Sequence, residues 1–123
     1  MTLQELYTLI DGNYDHAVQI MRMEKLINRY VLKFPGNDLN AALMAAGESM
    51  DPARLFESAH AMKGVCANMG FDKLADAVGI ITEEFRPGRE RKYTDSEVRD
   101  MLAKINDMYQ RTVAGIRQYE QSL

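Results

Sequence analysis

Apolar positions recur at steps of three and four along almost the whole chain, and no stretch alternates in the manner of a β-strand. Leu3, Leu6, Tyr7 and Ile10 predict a short first helix, stopped by Asp11-Gly12-Asn13. Asp15 is placed to cap a second helix, with Ile20, Met23, Ile27, Tyr30, Val31 and Phe34 on one stripe and Pro35-Gly36 as its stop. Asn37 or Asp38 opens a shorter helix through Leu39, Ala42, Leu43 and Ala46, and Gly47 is read as its end. Asp51-Pro52 pairs an N-cap acceptor with proline at the first helical position, where no N–H is needed. That helix runs to about Met69, with Gly70 suited to a left-handed C-terminal residue and Phe71 to the apolar contact beyond it. Leu74, Val78, Ile81 and Phe85 mark a further helix, broken by Pro87-Gly88. Thr94 and Glu97 form a capping box that opens a long last helix, its stripe running from Val98 through Met101, Leu102, Ile105, Met108, Tyr109, Thr112 and Ile116 to Tyr119.

The expectation is an all-α fold. Four helices are long enough for an antiparallel, up-and-down four-helix bundle, with two shorter helices beside it, because short connections favour antiparallel neighbours. No linker, repeat or low-complexity tract divides the chain, so residues 1–123 read as a single domain, a size at which roughly two-thirds of the unfolded surface can be buried.

Composition narrows the function. The chain is 46% hydrophobic and 27% charged, as in ordinary globular proteins. A net charge of −3 argues against general nucleic-acid binding, which rests on Lys and Arg against phosphates. The single cysteine, Cys66, cannot close an internal disulfide and suits a reducing compartment. No apolar run approaches the ~20 residues of a membrane span, and Met1 to Glu5 lacks the basic start of a signal peptide, so a cytoplasmic monomer is expected.

The helix from Pro52 to Met69 carries two faces. Leu55, Ala59, Met62, Cys66 and Met69 follow steps of four, three, four and three and point into the bundle. His60, Lys63, Gly64 and Ala67 share a different face, so His60 points outward. Lys63 stands one turn on, and Gly64 sits directly above the histidine. A mid-helix glycine costs ~1 kcal/mol relative to alanine, which suggests a place where a partner must come close. A neutral imidazole, with an ordinary pKa of ~6.5, is a nucleophile near physiological pH. A lysine beside it can neutralise the oxygens of a phosphoryl group placed there. An exposed histidine with lysine three residues on is common in helices, and the pair alone does not define a site.

The wider segment, Ala59-His60-Ala61-Met62-Lys63-Gly64-Val65-Cys66-Ala67-Asn68-Met69-Gly70, resembles the signature of the histidine phosphotransfer (HPt) family: histidine, an apolar residue, Lys-Gly, small residues, and a glycine ten positions after the histidine. The resemblance extends through the helix order and the Leu74-Ala75 segment. In the last helix only the apolar periodicity matches. It implies an antiparallel four-helix bundle with an exposed phosphoacceptor, His60, with Lys63 as phosphate neighbour, and with Gly64 and Ala67 as clearance beside it. It implies exchange of the phosphoryl group with the aspartate of receiver domains, in response regulators or hybrid histidine kinases, whose own site supplies Mg²⁺. Some relatives set a polar side chain of the next helix against the other ring nitrogen; Thr82 holds that position here, where a longer amide is more usual.

The remaining residues offer no rival chemistry. His16 reads as solvated or capping, and Cys66 as a buried thiol. Met44 and Met50 are candidates for a docking patch. Glu83 and Glu84, adjacent on a helix, point apart and cannot act as a carboxylate pair. Asp72 and Asp76 lack a histidine at ligand spacing, no Glu-x-x-His pair supports a metal site, and no phosphate loop supports ATP binding. The basic stretch from Arg86 to Lys92 reads as solvated, or as steering an acidic partner. The expectation is a phosphocarrier with no cofactor of its own, not an enzyme that phosphorylates itself; the alternative is a helical adaptor that binds signalling partners without phosphotransfer.

Overall fold

A computed structural model covering residues 1–123 is built from seven α-helices and contains no strand. α1 spans Leu3–Leu9, α2 Tyr14–Met21, α3 Glu24–Lys33, α4 Leu39–Ser49, α5 Pro52–Asn68, α6 Asp72–Glu84 and α7 Asp95–Gln121; a single 3-10 turn, Phe34–Gly36, joins α3 to α4. Helices α4 to α7 close a ring, each against two neighbours, while α1 and α3 pack on α7 and α2 packs on α5. Opposed residues show the antiparallel pairing. Across α5 and α6, Phe56 meets Arg86 and Lys63 meets Gly79. Across α4 and α7, Asn40 hydrogen-bonds Asn106, and Gly47 faces Leu102. The fold is the expected all-helical bundle.

Local chemistry fixes most boundaries. The Asp51 carboxylate accepts from the Ala53 N–H at the start of α5, with Pro52 next in the chain. Thr94 and Glu97 form the reciprocal capping box at the start of α7. At the end of α5, Gly70 takes φ +72°, the Phe71 N–H donates to the Cys66 carbonyl, and the Gly70 N–H donates to the Ala67 carbonyl. These two bonds satisfy carbonyls that the helix end would leave open.

Four expectations are corrected. The segment from Asp15 to Phe34 is two helices, because Arg22 adopts φ +70° and Met23 turns extended to begin α3. Of its proposed stripe, Ile27, Val31 and Phe34 are buried, but Ile20, Met23 and Tyr30 are exposed. α4, expected as a side piece, takes the vacant place in the ring. Gly47 does not end α4; it lies buried inside the helix, where a Cβ would stand 2.5 Å from Leu102 Cδ1, and Met50 at φ +52° makes the stop. Asn13, not Asp15, caps α2, its side chain accepting from the His16 N–H.

The α5–α6 turn is held from outside as well. The buried Tyr7 hydroxyl donates to the Met69 carbonyl at 2.7 Å, and the Asn13 N–H donates to the Gly70 carbonyl at 2.7 Å. Rings of Tyr7, Phe71, Phe34 and Tyr109 follow one another at centroid distances of 5.6, 5.1 and 5.6 Å, joining α1, the α5–α6 turn, the 3-10 turn and α7 in one apolar cluster. An alanine at Gly70 meets two penalties: a left-handed backbone, and a Cβ 2.5 Å from the Asn13 carbonyl oxygen. Gly70→Ala is expected to lower the unfolding free energy by about 2 kcal/mol. Urea denaturation checks this, and an unchanged midpoint would show that the turn adapts.

Candidate functional site

α5 turns its two faces as the spacing requires. Leu55, Ala59, Met62, Cys66 and Met69 are buried, and His60 is exposed on the opposite side. The imidazole packs against Phe56, one turn earlier, with ring centroids 5.2 Å apart and planes inclined by 36°. The Arg86 guanidinium, two residues beyond the end of α6, lies 5.2 Å from the centroid of the same phenyl ring. Phe56 and Arg86 were not legible as site residues; the available signal was an aromatic side chain four positions before the histidine, hence on the same face.

Lys63 is half-buried and runs across onto α6. Its Cε and Nζ lie 3.4 and 3.7 Å from where a Cβ of Gly79 would be, so the bare backbone of Gly79 gives the lysine stem a surface to lie on. The ammonium forms no ion pair and opens on a groove shared with Asp76, Ile80, Glu83, Arg89 and Lys92. Gly64 is exposed, and nothing lies within 4 Å of the position a Cβ would take, so no contact inside the chain accounts for the glycine. Ala67, a turn further, is half-buried.

Thr82 is not part of this surface. It is fully buried, and its hydroxyl donates to the Val78 carbonyl at 3.1 Å within its own helix. The residues α6 presents along the outward side of α5 are Gly79, Glu83 and Arg86, at steps of four and three; Thr82 lies one residue off that line, on the core side with Val78 and Ile81.

The two adjacent glutamates part company as expected. Glu83 accepts from Arg86 Nε at 2.7 Å and pairs with Arg89 at 3.3 Å. The Arg86 hydrogen bond, with the charges of Arg86, Arg89 and Lys63, holds its carboxyl below the usual range. Glu84 is buried. Burial alone would raise its carboxyl, but the backbone N–H groups of Lys92 and Tyr93 and the Arg91 guanidinium outweigh that and hold it low. The basic stretch after α6 is thus largely neutralised: Arg86 and Arg89 by Glu83, Arg91 by Glu84 and Asp95.

Elsewhere, Cys66 is in the core, where burial pushes its thiol up to about 12, far from a reactive thiolate. His16 meets Asp72 at 2.7 Å between α2 and the start of α6, a pairing across 56 residues that local spacing does not reveal. Met44 and Met50 are half-buried against the core. No group of three His, Cys, Asp or Glu side chains converges on a metal-sized site. No helix is long and apolar enough to cross a membrane.

Compared with protein-family models, residues 35–115 match the Hpt domain. Neither curated proteins nor solved structures gave a match. The matched span covers α4, α5 and α6 and most of α7, which together form the ring carrying His60, Lys63 and Gly64. With a bundle of the expected kind and a family model covering most of the chain, this protein belongs to the Hpt domain family, the phosphocarrier modules of two-component signalling.

Proposed function

We propose that His60 accepts a phosphoryl group from the aspartate of a receiver domain and returns it to another, so that the chain is an intermediate in a phosphorelay. The observation that carries this reading is the surface of α5: an exposed imidazole, an unpaired ammonium a turn away, and open space above Gly64. In the transfer, the lone pair of the unprotonated ring nitrogen forms the N–P bond. The aspartyl O–P bond breaks, and the carboxylate leaves with its electron pair. The proton on the other ring nitrogen is free to pass to solvent. Mg²⁺ belongs to the receiver's own acidic site. Lys63 faces the oxygens of the transferred group and offsets charge that builds in the transition state. Gly64 admits the receiver's backbone over the histidine. Receiver domains, in response regulators or hybrid kinases, are the partners, and the chain needs no nucleotide because both donor and acceptor are proteins.

The reading is tested by incubating the chain with a panel of receiver domains charged by acetyl phosphate, and separately with phosphoramidate, a small donor that needs no docking. Mass measurement and peptide mapping are expected to place one acid-labile phosphoryl group on His60. His60→Gln should lose the label while its thermal unfolding stays within about 0.5 kcal/mol of the parent, because the residue is exposed. Label persisting in that variant would move the site to His16, and no label from either donor would leave an adaptor.

Gly64 and Lys63 separate docking from chemistry. Gly64→Ala is expected to stabilise the isolated chain by about 0.5–1 kcal/mol in urea denaturation, since the added methyl meets nothing. Gly64→Gln should slow transfer from a receiver, be partly rescued at high receiver concentration, and leave labelling by phosphoramidate unchanged. Lys63→Ala should slow labelling from both donors and resist rescue by concentration. A Gly64→Gln variant that transfers from receivers at the parent rate would show that close approach over His60 is not required.

A further inference from the structure

Lys63 is useful to a phosphoryl group only while its charge is not spent on a neighbour, and α6 sets a carboxylate close by. Gly79 and Glu83 are four residues apart on one helix face, a spacing that brings side chains within about 5–6 Å at Cβ. The Lys63 ammonium lies over Gly79, and Glu83 lines the same groove. The charge of Lys63 is one of those that draw the Glu83 carboxyl down, so the two groups already feel each other. Asp76, one turn the other way, also lines the groove, but its side chain is one methylene shorter. Left alone, Glu83 is the group placed to capture Lys63.

It is not left alone. Its two carboxylate oxygens are taken separately: Oε2 by Arg86 Nε at 2.7 Å and Oε1 by an Arg89 guanidinium nitrogen at 3.3 Å. Arg86 is in turn steadied on the Phe56 ring, which lies against His60. We propose that Arg86 and Arg89 form a clamp that occupies Glu83 and thereby keeps the Lys63 ammonium available at the phosphotransfer face. The two arginines are positioning residues: they act through Glu83 on Lys63. This rests on the reading of His60 as phosphoacceptor for its consequence in transfer, but the electrostatic arrangement stands apart from it. Solvent screens exposed pairs of this kind, so the effect is graded.

The test uses the full chain with both arginines replaced, Arg86→Ala/Arg89→Ala, and the same chain with Glu83→Gln added. Two readouts are taken. The first is the titration of the Lys63 side chain followed by NMR. It should shift to higher pH in the double variant, as Glu83 turns to it, and return in the triple variant. The second is the rate of labelling by phosphoramidate at low salt. It should fall about threefold to fivefold in the double variant and recover in the triple variant, and the loss should shrink at high salt, where exposed pairs are screened. Glu83→Gln alone should label at the parent rate. A Lys63 titration unchanged by loss of both arginines overturns the clamp, whether or not His60 is labelled. A slow double variant that Glu83→Gln does not rescue overturns it too. Absence of label in the parent chain, with the titration shifted as expected, would overturn the phosphoacceptor reading and leave the clamp standing.

Discussion

α5 and α6 must run antiparallel in one particular register, and the three residues between them impose it. Met69, Gly70 and Phe71 close the end of α5 through the paired bonds to Cys66 and Ala67, and Phe71 drops into the aromatic cluster. With so short a connection, the register is decided at the turn and carried up the two helices. Seven residues before Gly70, Lys63 arrives over Gly79; fourteen before it, Phe56 arrives beside Arg86. A backbone conformation that only glycine adopts at low cost thus aligns side chains about two and about four helical turns away. The hydroxyl of Tyr7 and the N–H of Asn13 hold the same turn from the other side, so the N-terminal helices help keep the site in register without approaching it.

What could be read along the chain was whatever depends on neighbours in sequence. The caps at Asp51 and Thr94, the glycine turn at Gly70 and the split faces of α5 are local matters, and the fold preserves each. Apart from the cap of α2, which Asn13 and not Asp15 supplies, the errors fall where a residue's role is set by packing or by an uncommon backbone conformation. Gly47 has the same backbone freedom as any helix-ending glycine, and only the presence of Leu102 across the bundle makes it an interior contact. Ile20, Met23 and Ile27 keep helical spacing across a break that Arg22 makes with a left-handed backbone, which non-glycine residues seldom adopt. Thr82 rests on the family resemblance, which places a polar side chain of the next helix against the histidine ring. One residue's rotation about α6 separates it from Glu83 and sends it into the core.

The charged surface beside His60 is similarly a product of contacts between helices. Composition suggested a free basic stretch after α6. Instead its arginines are engaged by carboxylates, Arg86 and Arg89 sharing Glu83 and Arg91 bridging Glu84 and Asp95, and Glu84, though buried, is satisfied because the chain bends back to offer it two backbone N–H groups. Lys63, lying over Gly79, is left without such a partner. A buried carboxylate shaping a loop and an exposed carboxylate tied by arginines are adjacent in sequence, and the helix divides them between two tasks.

α7 is about 40 Å long, against about 26 Å for α5 and about 20 Å for α6. Its far end therefore overhangs the ring, and the family match stops before it, at residue 115. Ile116 and Tyr119 on that overhang are nonetheless buried, with Tyr119 donating to Asn28 of α3, and Gly115 lies beneath Ile10. Residues ahead of the family match thus sheathe the end of the bundle that lies beyond that match, and the Gly70 turn they also hold lies about 15 Å along α5 from His60. On the proposed reading, a substitution near His60 bears on docking and transfer, whereas one in α1 to α3 bears on packing alone. A different sheath of the same shape would hold the Gly70 turn equally well and leave the face around His60 unchanged.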